Sequence, residues 1–207
     1  IVFGDWSSDV CSSDLKACLT FDLLCDWLRT WSPRSDNSYY EAVALFILST
    51  IAARRVSYSF GGIRYPNLQI LLIGRTAISA KTTVATLSRD LLTQLGLDFL
   101  LVPDIITPQK LVNIMTRNKP ENYEKLTNDE QLKAKLSIGY SGQRGWLHDE
   151  FGTTLSGMMQ NQGTDTMLRK IFRQFDDSPS KFSLAGIARG TDEIINTYLA
   201  FLGCMTV

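Results

Sequence analysis

Histidine is almost missing from this chain. Its 207 residues hold one, His148, and the four cysteines, Cys11, Cys18, Cys25 and Cys204, form no C-x-x-C pair. One histidine and scattered thiols cannot supply four converging ligands, which argues against a zinc site. Cys18 and Cys25 lie seven apart on one prospective helix face and read as core thiols in a reducing compartment. Net charge is missing too. Lys plus Arg and Asp plus Glu stand at 21 each, so no global basic field advertises nucleic acid, although a local patch fits a zero balance. The chain also lacks a membrane-length apolar run. The richest stretch, Ala42 to Ile51, is broken by Ser49-Thr50 and closed by Arg54-Arg55, so a buried core helix is expected there. With no signal peptide pattern either, the expectation is a cytoplasmic protein with no membrane partner. An apolar content of 44% in 207 residues allows one good core and a small appendage.

What the chain does have is the stretch Leu68 to Thr83. An apolar run, Leu68 to Ile73, leads into a loop of Gly74, Arg75, Thr76, Ala77, Ile78, Ser79 and Ala80 that ends in Lys81-Thr82-Thr83 as a helical pattern begins. A strand delivering a loop to a helix start presents unpaired N–H groups and the positive end of the helix dipole to an anion. Lys81 adds a point charge for outer phosphates, and a hydroxyl of Thr82 or Thr83 can ligate magnesium. This is the layout of a phosphate-binding P-loop. Lys81 nevertheless lies seven positions after Gly74 rather than the usual six. Realigned to the usual spacing, Arg75 and Ala80 occupy the glycine positions, where a positive φ costs a non-Gly residue about 1–2 kcal/mol. The plainer reading is a buried strand, a loop and an ordinary helix start with a solvated lysine.

A second motif favours the nucleotide. Trp146-Leu147-His148-Asp149-Glu150 is a short apolar strand ending in two carboxylates, about seventy residues after the loop. In a Walker B arrangement the first, Asp149, holds magnesium and the second, Glu150, polarises the attacking water. His148 reads as a strand residue with a satisfied hydrogen bond rather than a catalyst.

Around these motifs the periodicity predicts an alternating α/β chain. Phe21, Leu24, Cys25 and Leu28 mark a first helix ended by Ser32-Pro33, and Ser38 to Glu41 reads as a capping box opening a second, to about Arg55. Ser57 to Asn67 is turn-rich, with a small hairpin as one option. Leu68 to Ile73 does not alternate and is expected in mid-sheet, covered on both faces. Val84, Leu87, Leu91 and Leu95 predict a helix capped by Gly96, followed by a strand over Asp98 to Val102. Thr107-Pro108 starts a helix, and Thr127 to Glu130 is a second capping box on a solvated excursion with a Leu132/Leu136 stripe. Thr164 to Phe175 predicts a helix, with Met158-Met159 before it as core filling. Phe182 to Ile187 and Ile194 to Tyr198 are expected to pair, and Tyr198 to Thr206 to form a buried strand.

Asp5 to Leu15 resembles the in-frame translation of a common sequencing adapter, so residues 1–15 are set aside as an assembly scar, the alternative being a disordered Ser/Asp-rich terminus. The expected organisation is then a helical segment over 16–57 and a domain over 58–207 that ends within an element. From about Phe21 onward the chain resembles the P-loop ATPase domain of phage and mobile-element proteins associated with primases and described as helicase-like. The likeness rests on the Gly74 to Ala77 loop with its long approach to Lys81, on Asp149-Glu150-Phe151-Gly152, on the helix ending at Phe175-Asp176-Asp177 and on the strand reaching Thr206. It implies a RecA-like or AAA-like parallel sheet, truncated at its C-terminal end, with the last strand between those bearing the two motifs and Thr206 as a sensor near the γ-phosphate. It also implies ATP and Mg²⁺, a homo-oligomer, DNA as a partner of the full-length protein, and an arginine supplied by a neighbouring subunit. Arg144, Arg169, Arg173 and Arg189 are the candidates, each otherwise a surface charge. Two further readings are a non-hydrolysing nucleotide-binding or assembly module with a degenerate P-loop and a nucleic-acid-binding domain without a nucleotide role.

Overall fold

A computed structural model describes residues 18–75, 80–116, 122–159, 165–186 and 190–206; the adapter-like segment lies outside them. Two helices come first, α1 (Leu19–Trp31) and α2 (Asn37–Ala52). Cys25 and Leu28 face inward from α1, but Cys18 is exposed, so only one of the two expected core thiols is in the core. The cap of α2 is Asp36, whose carboxylate accepts from the Ser38 N–H at 2.9 Å, and not the box read at Ser38. Asp36 wins because it stands where the backbone is still extended, one residue before the helix, where a side-chain oxygen reaches the second free N–H. The helix stops at Ala52 and a 3₁₀ turn over Ala53–Arg55 follows. No helix among the described residues is long and apolar enough to cross a membrane.

The turn-rich connector is a hairpin of β1 (Tyr58–Ser59) and β2 (Ile63–Arg64). Its bend needs the glycines, since Gly61 and Gly62 have φ of 62° and 145°. Next come β3 (Gln69–Gly74) and α3 (Lys81–Gln94). Gly96, at φ 68°, closes α3 in a Schellman motif: the Leu97 N–H donates to the Leu92 carbonyl at 2.7 Å and the Gly96 N–H to that of Thr93 at 2.9 Å.

The strand expected over Asp98 to Val102 is instead a 3₁₀ turn, Asp98–Leu100, followed by one parallel bridge from Leu101 to Gly145. Val102 still donates to the Gly145 carbonyl at 2.9 Å, but Pro103 has no N–H to extend the ladder. Thr107 caps α4 (Pro108–Met115), and the Thr127–Glu130 box caps α5 (Asn128–Gly139). No residue of α5 is buried, and its leucine stripe faces solvent. The rest is β4 (Gln143–His148), α6 (Phe151–Met159), α7 (Asp165–Asp176), β5 (Lys181–Gly186), β6 (Gly190–Ile195) and β7 (Tyr198–Thr206). Met158 is buried but Met159 is exposed. The β5/β6 pair is antiparallel as expected, yet its second strand lies earlier than predicted. Asn196, in a left-handed conformation at φ 57°, ends it and releases Tyr198 into β7.

The main sheet is parallel with the order β3-β7-β4. β7 is buried from Tyr198 through Cys204 and occupies the middle. β3 is therefore an edge strand among the described residues, which corrects the expectation that it is covered on both faces. Its register explains the difference. Ile70 and Leu72 pair with Leu202 and Cys204 and join the core under α1 to α3. Leu71 and Ile73 turn to the other face, where α6 and α7 pack over Phe201, Leu199 and Trp146 but leave these two 42% and 50% exposed. That second core is aromatic: the Trp146 ring stacks on Phe172 at 5.7 Å, and Phe201 meets both rings edge-on. The protein is thus α/β, with helices on both faces of a parallel sheet.

Candidate functional site

The C-terminal ends of three parallel strands bring the candidate residues together. Gly74 on β3 is in register with Thr206 on β7, so both open at the same level. β4 ends at His148 opposite Gly203, and the next two residues, Asp149 and Glu150, turn out beside them. Between Gly74 and the start of α3, Arg75 and Ala80 are described, whereas Thr76, Ala77, Ile78 and Ser79 lie outside the described residues. Ala80 has φ 42° and ψ 26°, the left-handed geometry expected of a glycine position.

Lys81 is 7% exposed, which overturns the solvated lysine of the plainer reading. Its Nζ donates to the Gly74 carbonyl at 3.2 Å and to Thr206 Oγ1 at 3.4 Å, tying the loop lysine to the middle strand. Thr82 Oγ1 donates to Asp149 Oδ1 at 3.2 Å, so the two metal candidates touch. The same Oδ1 accepts from the Glu150 N–H at 3.0 Å. Glu150 is exposed and left-handed at φ 56°, a strained conformation of the kind found at functional sites. Thr83 lines the same hollow.

Those contacts border a hollow of about 550 Å³ walled by Arg75, Ala80 to Thr83, Asp149, Glu150, Cys204 and Thr206, and by Trp31 to Arg34. Its size falls within the range of small-molecule sites. Thr82 and Asp149 offer two hard oxygens side by side. That donor set fits Mg²⁺, which takes one or two protein oxygens and fills the remainder from phosphates and water. Among the described residues no three His, Cys, Asp or Glu converge on one metal.

His148 is the satisfied strand residue expected. Its Nδ1 donates to the Asp149 carbonyl at 2.6 Å, Nε2 pairs with the Thr154 hydroxyl at 2.9 Å, and its ring stacks on Trp146. It thereby fixes the peptide that carries Asp149. Arg144 is not a surface charge. It is buried, with its guanidinium on the carbonyls of Phe99 and Ser137, and burial pushes it down to about 10. It is thus removed from the pool of arginines able to reach another molecule. Arg173 is exposed and Arg169 partly so, while Arg189 lies outside the described residues.

Sequence reasoning missed two parts of this wall. Cys204 enters the sequence reading only as part of the buried strand expected over Tyr198 to Thr206; it is buried on β7, where burial, reinforced by Asp149 and opposed by Lys81, pushes its thiol up to about 12. The turn from Trp31 to Arg34 carried only a helix-stop signal, Ser32-Pro33, which says where a helix ends and not what it faces. No family model matches the chain, and no curated protein matches it in sequence.

Proposed function

We propose that the protein is a P-loop nucleotide-binding domain of RecA-like or AAA-like type that binds ATP with Mg²⁺ and hydrolyses it. One observation carries this reading: at the ends of β3, β7 and β4 the Lys81–Thr206 and Thr82–Asp149 hydrogen-bonded pairs line one hollow. Lys81 faces the outer phosphates, Thr206 senses the γ-phosphate beside it, and the N–H groups opening α3 add the dipole's positive end. Thr82 and Asp149, with Thr83 beside them, hold the metal, which supplies charge neutralisation on the phosphate oxygens when bound. Glu150, one residue beyond Asp149 and facing the hollow, takes the proton of the attacking water. Read with the resemblance to phage and mobile-element ATPases, the proposal extends to a replication-associated, cytoplasmic activity, exercised as a homo-oligomer, with DNA as a further partner.

Steady-state ATPase assays test it. Wild type turns over with Mg²⁺, Lys81→Ala loses both binding and turnover, and Glu150→Gln binds without turnover; equal rates in all three overturn the reading. The alternative is a module that binds ATP without consuming it. It draws on the Glu150 carboxylate, which has no hydrogen-bond partner among the described residues to orient it. ATP then raises the melting temperature with no phosphate released.

A further inference from the structure

The wall of the hollow formed by the α1–α2 turn has no role in the nucleotide reading above. Trp31, the last residue of α1, is 64% exposed and lines the hollow. An indole left this open offers a flat ring that gains stabilisation when another ring covers it. Pro33 stands beside it, and Arg34 is exposed with no ion pair or hydrogen bond among the described residues.

The turn is fastened to the phosphate side at two points. Ser35 Oγ donates to the Ala80 carbonyl at 3.2 Å, one residue before Lys81, and Tyr39 OH donates to the Ile73 carbonyl at 2.9 Å, one residue before Gly74. Within the turn the Ser32 and Ser35 hydroxyls lie 3.0 Å apart, and Tyr40 OH donates to the Ser32 carbonyl. Trp31 is therefore held at a set place relative to both ends of the loop.

We infer that this turn is the base-recognition wall of the site: Trp31 stacks on the nucleobase, and the Arg34 guanidinium donates to acceptors on the base edge. The inference rests on the proposed nucleotide reading and adds to it which residues take the base. Stacking is available to every base but covers more of a purine, so purine nucleotides bind more tightly than pyrimidine ones.

The test compares MgATP with magnesium tripolyphosphate by calorimetric titration of wild type, Trp31→Ala and Trp31→Phe. Because the side chain is exposed, both variants keep the wild-type circular dichroism spectrum. The expected result is ATP binding weakened about tenfold or more in Trp31→Ala and largely retained in Trp31→Phe, with tripolyphosphate binding unchanged in both. Equal loss of both ligands, or no loss of either, overturns the inference while leaving the phosphate site standing. If wild type binds neither ligand, the phosphate site and the base wall fall together.

Discussion

Ala80 stands where a phosphate-binding loop commonly has glycine, and its φ of 42° and ψ of 26° are left-handed. An L-residue there loses about 1–2 kcal/mol to the clash of Cβ with the following carbonyl. Glycine removes the clash, and its freer unfolded chain returns about 0.4–1 kcal/mol of that gain. The Ala80 carbonyl, which accepts from Ser35 Oγ and from the Val84 N–H, is untouched by the change. Ala80→Gly is therefore expected to stabilise the fold by about 0.5–1 kcal/mol, a rise of about 1–4 °C in Tm for a chain of this size. Ala80→Val moves the other way, because a branched Cβ fits the left-handed region worst of all. Urea denaturation of the three proteins, read as shifts in midpoint at constant slope, measures both changes. A destabilised glycine variant beside a neutral valine variant would falsify the left-handed geometry on which the glycine-position reading depends.

Two further perturbations report on the sheet that positions the site. A Cβ on Gly145 would stand 2.4 Å from Thr50 Oγ1, so Gly145→Ala is expected to cost about 1–3 kcal/mol, and Thr50→Ala in the same chain to recover part of it. A double-mutant cycle with no coupling would show that α2 does not approach β4 there. Alkaline pH is the second. The unfolded Cys204 thiol ionises near 9.0 and the folded one near 12, so above 9.0 the unfolded chain binds fewer protons and stability falls as pH rises. At 1.36 kcal/mol per pH unit the loss from Cys204 is about 2 kcal/mol by about pH 10.5, with Tyr198, also pushed up to about 12, adding to it. Denaturant midpoints of wild type and Cys204→Ala across pH 8 to 11 check this, the variant showing the flatter curve; parallel curves would mean that the thiol is not buried.

The two segments that meet at the strand ends stood out because each is local: Gly74 to Thr83 and Trp146 to Glu150 are contiguous runs in the sequence. Helices with clear stripes were legible for the same reason, and Leu168, Ile171, Phe172 and Phe175 of α7 are all buried as their spacing predicts. Sheet position was not legible from pattern. The runs Leu68 to Ile73 and Tyr198 to Met205 are both apolar, yet only the second is enclosed, because burial depends on which helices return to cover a strand and not on the strand's own composition. The placement of β7 between β3 and β4 came from likeness to known ATPases and not from periodicity. Trp31 escaped notice since an exposed aromatic at a helix end has no sequence signature; only the tether from Ser35 to Ala80, forty-five positions apart, gives it a role.

The proposed convergence of Lys81 and Asp149 on one triphosphate is tested most directly by titrating the protein with ATP, with and without Mg²⁺, alongside Lys81→Met. Methionine keeps the buried stem and removes the charge. The account predicts magnesium-dependent binding by wild type, weakened about tenfold or more in the variant, as expected when a charge-assisted hydrogen bond to phosphate is lost. Binding that is indifferent both to Mg²⁺ and to the loss of the ammonium would contradict it.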